Sequence, residues 1–381
     1  MRAFVLTDRS LTRHAGRFVW LEIDTEKKQN APLRKQLAIA GLPTYYVLDP
    51  QDERVALRWL GGFTVAQFER LLDDGEAAVT GRRAAGSHPA DKALAWADQA
   101  YGAADYATAA KAYAEALATA PADWAPYPRA VEALLFAYDH GKDYAAEAKL
   151  ADEAWPRLAG TPSGANAVAY GLGAALALPD SVPGRADLVA RFESRVREVL
   201  ADHALAIAAD DRSGLYISLL DARQQAGDSL GARQVALDWA AFLEDAAARA
   251  TTPEQRAVFD PHRLSAYLEL GQPERAVPML EASEKDLPED YNPPARLAAA
   301  YKAMKKWDEA LAASDRALAK VYGPRKLGVY STRADLLSGK GDTAAARRTL
   351  EEALAYADSL PAGQRSEGTL AALRKKLEAL K

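Results

Sequence analysis

The chemistry a chain can perform is limited first by its nucleophiles and metal ligands, and this one has no cysteine. That removes disulfides, thiolate nucleophiles, dithiol exchange and zinc sites built on sulfur. The five histidines, His14, His88, His140, His203 and His262, are scattered. None stands three or four residues from another on one helical face, so the spacing predicts no metal centre. The acidic pairs Asp73-Asp74, Asp210-Asp211 and Glu351-Glu352 have the groups a general acid and base require. On polar helix faces, however, such pairs are solvated charges. There is no Gly-x-Ser-x-Gly elbow and no phosphate loop. Gly171-x-Gly173 lies inside an apolar helical pattern without the preceding strand a dinucleotide site needs, so its glycines predict close helix packing. The residues therefore predict no catalytic group, no metal and no cofactor.

The chain has 381 residues, a formal net charge of −5, 27% charged and 49% hydrophobic residues. That length predicts more than one cooperative unit. The acidic balance offers no basic field for a polyanion, so no nucleic-acid partner is expected. The longest apolar run, Ala165 to Leu178, is 14 residues, short of the roughly 18 that a membrane span needs, and reads as a buried helix. Behind Met1 there is no continuous apolar segment of a secretory signal. The chain as written is expected in the cytoplasm, or in the periplasm if a signal peptide precedes it. Its composition suggests a bacterial source, and its oligomeric state is not legible.

Stepping along the front, Phe18-Val19-Trp20-Leu21-Glu22-Ile23 is β-branched and aromatic and predicts a buried strand. Ala31 to Ala40 has helical character, with Pro32 in the first turn and Gly41 closing it. Leu42-Pro43-Thr44-Tyr45-Tyr46-Val47-Leu48 predicts a second strand, Asp49 to Asp52 a turn, and Val55 to Leu60 a third strand paired to it. Gly61-Gly62 ends the hairpin, and Val65 to Leu72 forms a helix.

This order resembles the second half of a thioredoxin fold, with Gly41-Leu42-Pro43-Thr44 at the family's cis-proline loop. Phe4-Val5-Leu6-Thr7-Asp8 and Phe18 to Asp24 fit two elements that follow the redox motif in one branch of that family. The resemblance implies that the Cys-x-x-Cys would lie upstream of Met1. It also implies that Leu42, Pro43 and Thr44 form a backbone edge able to dock an extended peptide.

Gly81 to Pro89 is polar and punctuated by glycine and proline, and predicts a linker. From Ala90 onward a frame recurs: Gly102-x-x-x-Tyr106-x-x-Ala109-x-x-x-Tyr113-x-x-Ala116-Leu117-x-x-x-Pro121, then Trp307-x-x-Ala310-x-x-x-Ser314-x-x-Ala317-Leu318, then Gly341, Ala346, Leu350 and Ala353-Leu354. Ala276 and Ala310 lie 34 residues apart. Gly271 with Ala276, and Gly227 with Ala232, share the five-residue offset of Gly341 with Ala346. A small residue at the alanine position lets two helices approach closely, and each hairpin buries its other face against a neighbour. The frame resembles the tetratricopeptide repeat (TPR), strongly at both ends and weakly over 122–226, and five to seven hairpins are expected.

The expected architecture is thus mainly α. A partial α/β thioredoxin-like domain (1–80) and a linker (81–89) precede a TPR solenoid of helical hairpins (90–381). The resemblance implies a protein or peptide partner held in the groove of first helices, with Asn292, Arg296, Lys302 and Asp335 as groove residues. At the positions where chaperone-tail-binding repeats carry lysine and asparagine, this chain has Ala295 with Ala299 and Ser331 with Asp335, so an acidic chaperone tail is not implied. The function expected is a non-catalytic interaction scaffold. Its rival is a thiol–disulfide oxidoreductase whose cysteines lie ahead of Met1 and whose repeats recruit substrate.

Overall fold

The computed structural model describes residues 3–37, 39, 41–81 and 88–380. In chain order it forms α1 (Ala31–Gln36), β1 (Thr44–Leu48), β2 (Val55–Leu60), α2 (Val65–Val79), α3 (Pro89–Gly102), α4 (Tyr106–Thr119), α5 (Tyr127–Gly141), α6 (Tyr144–Leu158), α7 (Pro162–Ala177), α8 (Arg185–Ala201), α9 (Ala209–Gln225), α10 (Ser229–Ala248), α11 (Pro253–Ala257), α12 (Asp260–Glu269), α13 (Ala276–Asp286), α14 (Asn292–Ala303), α15 (Trp307–Lys320), α16 (Arg325–Lys340), α17 (Thr343–Asp358) and α18 (Glu367–Ala379). No helix among the described residues is long and apolar enough to cross a membrane. Contacts divide the chain into two compact units, Met1–Ala15 with Ala38–Val235, and Gly16–Leu37 with Ala236–Lys381.

In the first unit β1 and β2 pair antiparallel, Thr44 opposite Leu60 and Tyr46 opposite Arg58. The hairpin expected from sequence is present, and the Leu42–Pro43 peptide is cis. Two glycines seat it. A Cβ on Gly75 of α2 would stand 2.6 Å from the Val47 side chain, and one on Gly102 of α3 would stand 2.8 Å from Val55. Phe63 and Phe68 stack beneath it with ring centroids 4.5 Å apart. Thr64 and Gln67 close a reciprocal capping box at the start of α2. Most of the expected linker, 82–87, lies outside the described residues, but His88 accepts a bond from the Ala90 amide and so caps α3.

Helices α3 to α8 then pack as successive pairs, α3 on α4, α5 on α6 and α7 on α8, with α5 also on α7 and α7 on α9. The region 122–226, weak in repeat signal, is therefore helical and paired as well. Ala109, Tyr113 and Ala116 of the clearest sequence unit are buried. Gly171 is where the chain needs no side chain, since an added Cβ would come within 2.4 Å of the Phe192 ring and 2.8 Å of Ala151. Gly173 faces open space instead. Gly171→Val is expected to destabilise the first unit by about 1–3 kcal/mol through overpacking. Gly173→Ala should be neutral or stabilising by up to about 1 kcal/mol, and thermal unfolding of both variants separates the two.

In the second unit α13 packs on α14, α14 on α15, α15 on α16, α16 on α17 and α17 on α18. The register alanines Ala276, Ala310 and Ala346 are fully buried at these crossings. Residues 16–37 belong to this unit. Gln364 donates to the carbonyls of Thr25 and Lys27, each at 3.1 Å, Tyr322 donates to Asp24, and Arg325 pairs with Glu26.

The thioredoxin-like expectation is corrected in part. Residues 18–23 form no strand, and Val19 is 89% and Leu21 74% exposed. Residues 4–7 are turns leading to Asp8, which caps a 3-10 helix at Arg9–His14. An apolar run becomes a strand only where another strand pairs its backbone, and the sheet among the described residues is β1 with β2 alone.

Candidate functional site

The first helix of each pair supplies the face on which polar side chains gather. In the first unit these are α3, α5, α7 and α9. Arg129 of α5, almost wholly buried, makes a bidentate pair with Asp98 of α3 at 2.7 and 2.9 Å and donates from Nε to Asp74 of α2 at 2.9 Å. Tyr113 of α4 donates its hydroxyl to the same Asp98 at 2.7 Å. Burial works against the guanidinium's charge, but Asp98 and Asp74 outweigh it and hold Arg129 protonated. Asp74, expected to be a solvated charge, is thus part of a buried network. Arg58 of β2 is also buried, donating to the Tyr106 hydroxyl at 2.6 Å with its guanidinium over the Tyr46, Tyr101 and Tyr106 rings.

Next to this network lie two hollows that both have Tyr170 of α7 in their lining. The inner one, about 160 Å³, is lined by Arg58, Trp59, Tyr101, Glu132, Tyr170 and Asp211, among others. Asn166 donates to one Glu132 oxygen at 3.0 Å, while the other, Oε1, is buried without a hydrogen-bond partner. Burial raises the Glu132 carboxyl to about 7. It raises Asp211 to about 6, with Asp210 adding to the shift. The outer hollow, about 380 Å³ and open on one side, is lined by Asp139, Tyr144, Glu147, Tyr170 and Gly173 with neighbouring alanines. Glu147 is 1% exposed, its Oε2 has no hydrogen-bond partner, and burial followed by the Asp139 charge lifts it to about 8.

In the second unit the first-helix face belongs to α12, α14, α16 and α18. Asp335 of α16 sits between two ammonium groups, Lys302 of α14 at 3.1 Å and Lys376 of α18 at 2.7 Å, and Lys376 also donates to Ser331 at 2.8 Å. Burial opposes ionisation of Asp335, but the bonds from Lys376 and Lys302 hold it below the usual carboxylate range. Arg296 is turned towards Asp260 and Asp290, with burial lowering its affinity for the proton and those two charges restoring part of it. Asn292 bonds locally to Asp290 through its amide and its side chain, at 2.8 and 2.7 Å.

The structure therefore brings together Lys302 and Asp335 of the sequence-predicted residues, and leaves Asn292 and Arg296 at other points of the same face. Leu42, Pro43 and Thr44 belong to the other unit, where Leu42 is 54% exposed and the Pro43 carbonyl accepts from Gly61 at 2.9 Å. Sequence reasoning missed Arg129, Asp98, Glu132, Glu147 and Lys376, and read Asp211, which is raised by burial, as a solvated charge. One signal could have found a pair of these: Glu132 and Asn166 lie 34 residues apart, one repeat period, as Lys302 and Asp335 lie 33 apart. Among the described residues no group of histidine and acidic side chains could hold a metal ion.

A family model described as tetratricopeptide repeat matches residues 291–359, the stretch from the start of α14 to the end of α17. A crystal structure of a tetratricopeptide repeat protein from Parabacteroides merdae is similar with a TM-score of 0.50 at 10% identity, covering 77% of this chain and 98% of that one. The TPR2AB domain of yeast Sti1 in complex with pHSP90 is matched with a TM-score of 0.30 at 16% identity, over 76% of this chain and 98% of that chain. No curated protein matches by sequence. With residues 291–359 matched to the repeat family and the paired-helix fold shared, this is a mainly α chain with tetratricopeptide-repeat architecture.

Proposed function

We propose that the chain is a non-catalytic protein–protein interaction scaffold whose first-helix faces hold a peptide or a partner helix. The observation that carries this reading is the meeting of polar side chains from successive first helices along those faces, Glu132 with Asn166 and Lys302 with Asp335 and Lys376. A face spent only on packing would be apolar, whereas this one presents charged groups at regular intervals to whatever lies along it. Leu42, Pro43 and Thr44 are a second docking edge in the same reading, with Leu42 exposed.

The test is a titration of the purified chain against an array of capped peptides of mixed charge, followed by calorimetry on each hit. The reading expects micromolar binding that weakens at least about tenfold in Lys302→Glu or in Leu42→Glu, depending on the unit engaged. Binding by no peptide, or binding untouched by either variant and by substitution of Glu132, overturns it.

The order α1, β1, β2 and α2 over 31–79 favours a second reading, in which the native product carries a Cys-x-x-Cys ahead of this sequence and reduces disulfides in substrates that the repeats recruit. The intact mass of the protein made from its own gene, together with a disulfide-reduction assay on that product, decides it. A product without cysteine forms no mixed disulfide and removes this reading.

A further inference from the structure

The outer hollow of the first unit contains a side chain that the packing of α5, α6 and α7 does not explain. Glu147 belongs to α6, yet its carboxyl is almost inaccessible, lines a groove of about 380 Å³, and has an oxygen with no donor. A carboxylate kept from water without a hydrogen bond costs several kcal/mol. Leucine or alanine at 147 would pack there without that cost. The groups facing Glu147 supply no relief. Asp139 comes from α5, Tyr144 from α6 itself and Tyr170 from α7, and no lysine, arginine or histidine is among the described residues lining the groove. Nor does the negative charge stop there. Behind Tyr170, Glu132 has its own orphaned oxygen and Asp211 lies beside it.

We propose that this groove binds a basic peptide segment, seating a lysine or arginine side chain between Glu147 and Asp139 with the Tyr144 and Tyr170 rings as its walls. The inference rests on the scaffold reading and names the chemistry of its partner. An ammonium or guanidinium supplies the donors the Glu147 carboxylate lacks, forming charge-assisted bonds. Tyrosine rings attract such a cation through their faces, and the groove volume lies within the roughly 300–1,000 Å³ of ligand clefts. At Gly173 nothing stands where a side chain would be, so a peptide backbone can approach the helix there. Opening on one side suits a side chain that arrives attached to a chain. The Glu147 carboxyl, which burial lifts to about 8, must be ionised to receive the cation, so binding strengthens as pH rises from about 6 to 8.5.

The test is calorimetry on the full chain in low salt at pH 8 with three probes: a capped nonapeptide alternating lysine and alanine, its glutamate counterpart, and n-butylamine. The expected result is binding of the lysine peptide only, weakened about tenfold or more by Glu147→Gln and unchanged by Glu153→Gln on the exposed side of α6. Asp139→Asn serves as the second variant, and circular dichroism checks that each folds. Equal binding by Glu147→Gln and Asp139→Asn overturns the inference, and butylamine binding as tightly as the peptide overturns the peptide as occupant. If the lysine peptide fails while other peptides of the array bind, the inference falls and the scaffold reading stands. If no peptide binds, both fall.

Discussion

Replacing Arg129 by alanine is expected to cost the first unit about 3–5 kcal/mol, the loss that follows when one partner of a buried ion pair is removed. The guanidinium is bonded bidentately to Asp98 and again to Asp74, and the Tyr113 hydroxyl donates to Asp98 as well. Truncation would leave the Asp98 carboxylate buried without the two bonds of the guanidinium. Arg129→Lys should recover little, because an ammonium cannot reproduce the two parallel bonds of the fork. The double variant Arg129→Met with Asp98→Leu removes the charges together and should be far milder than the sum of its parts. Two units within one chain make a single unfolding free energy ill-defined. The measurement is therefore amide exchange resolved to α3, α4 and α5, where protection should fall in the single variant and return in the double one. Unchanged protection in Arg129→Ala would show the network to be dispensable.

The second large effect is a dependence of stability on pH that runs opposite to ordinary acid denaturation. Glu147, Glu132 and Asp211 titrate at about 8, 7 and 6 in the folded chain, against about 4 for such groups in an unfolded one. Over the interval between those values the native state holds protons that the unfolded state has released. The stability these groups contribute is therefore complete below about pH 4 and is lost as pH climbs through 6, 7 and 8 in turn. Carboxylates of the second unit that are bonded to cations, Asp335 and Glu284, are shifted the other way, so that unit loses their contribution as pH falls. The expectation for the first unit is a stability that declines as pH rises from about 5 to 8.5. Glu147→Gln should abolish the alkaline part of the loss, on the order of 2 kcal/mol. Melting curves of both proteins between pH 5 and 8.5 check this, and parallel curves would count against it.

How far the sequence foretells the molecule depends on which kind of neighbour a residue needs. Ala276, Ala310 and Ala346 could be placed at helix crossings from their spacing alone, because a repeat makes sequence distance and spatial distance the same thing. The hairpin at 44–60 was legible for a similar reason, its two strands being joined by a short turn. Phe18 to Ile23 was not, since β-branched and aromatic residues indicate what a segment prefers and not whether a partner strand exists. In the weak region 122–226 the close packing expected of the two glycines is met at Gly171, against the Phe192 ring, and not at Gly173, which faces open space. Glu147 and Asp211 look like any charged residue on a helix, because burial of a carboxylate is decided by which turn of the next helix passes over it. Lys302 and Asp335 were accessible to reasoning about a groove, while Lys376 lies 41 residues beyond Asp335, off the repeat spacing, and so escaped it.

The interleaving of the two units has a consequence during synthesis. Residues 16–37 emerge from the ribosome early, yet Thr25 and Lys27 receive their bonds from Gln364, up to 339 positions later. At elongation rates of about 5–20 residues per second, the segment waits roughly 20–70 s for its partner to be made. During that interval the segment stands without the bonds that hold it, and the second unit can close only once Gln364 has been made. A strip of twenty-two residues must thus be kept soluble until the turn between α17 and α18 arrives.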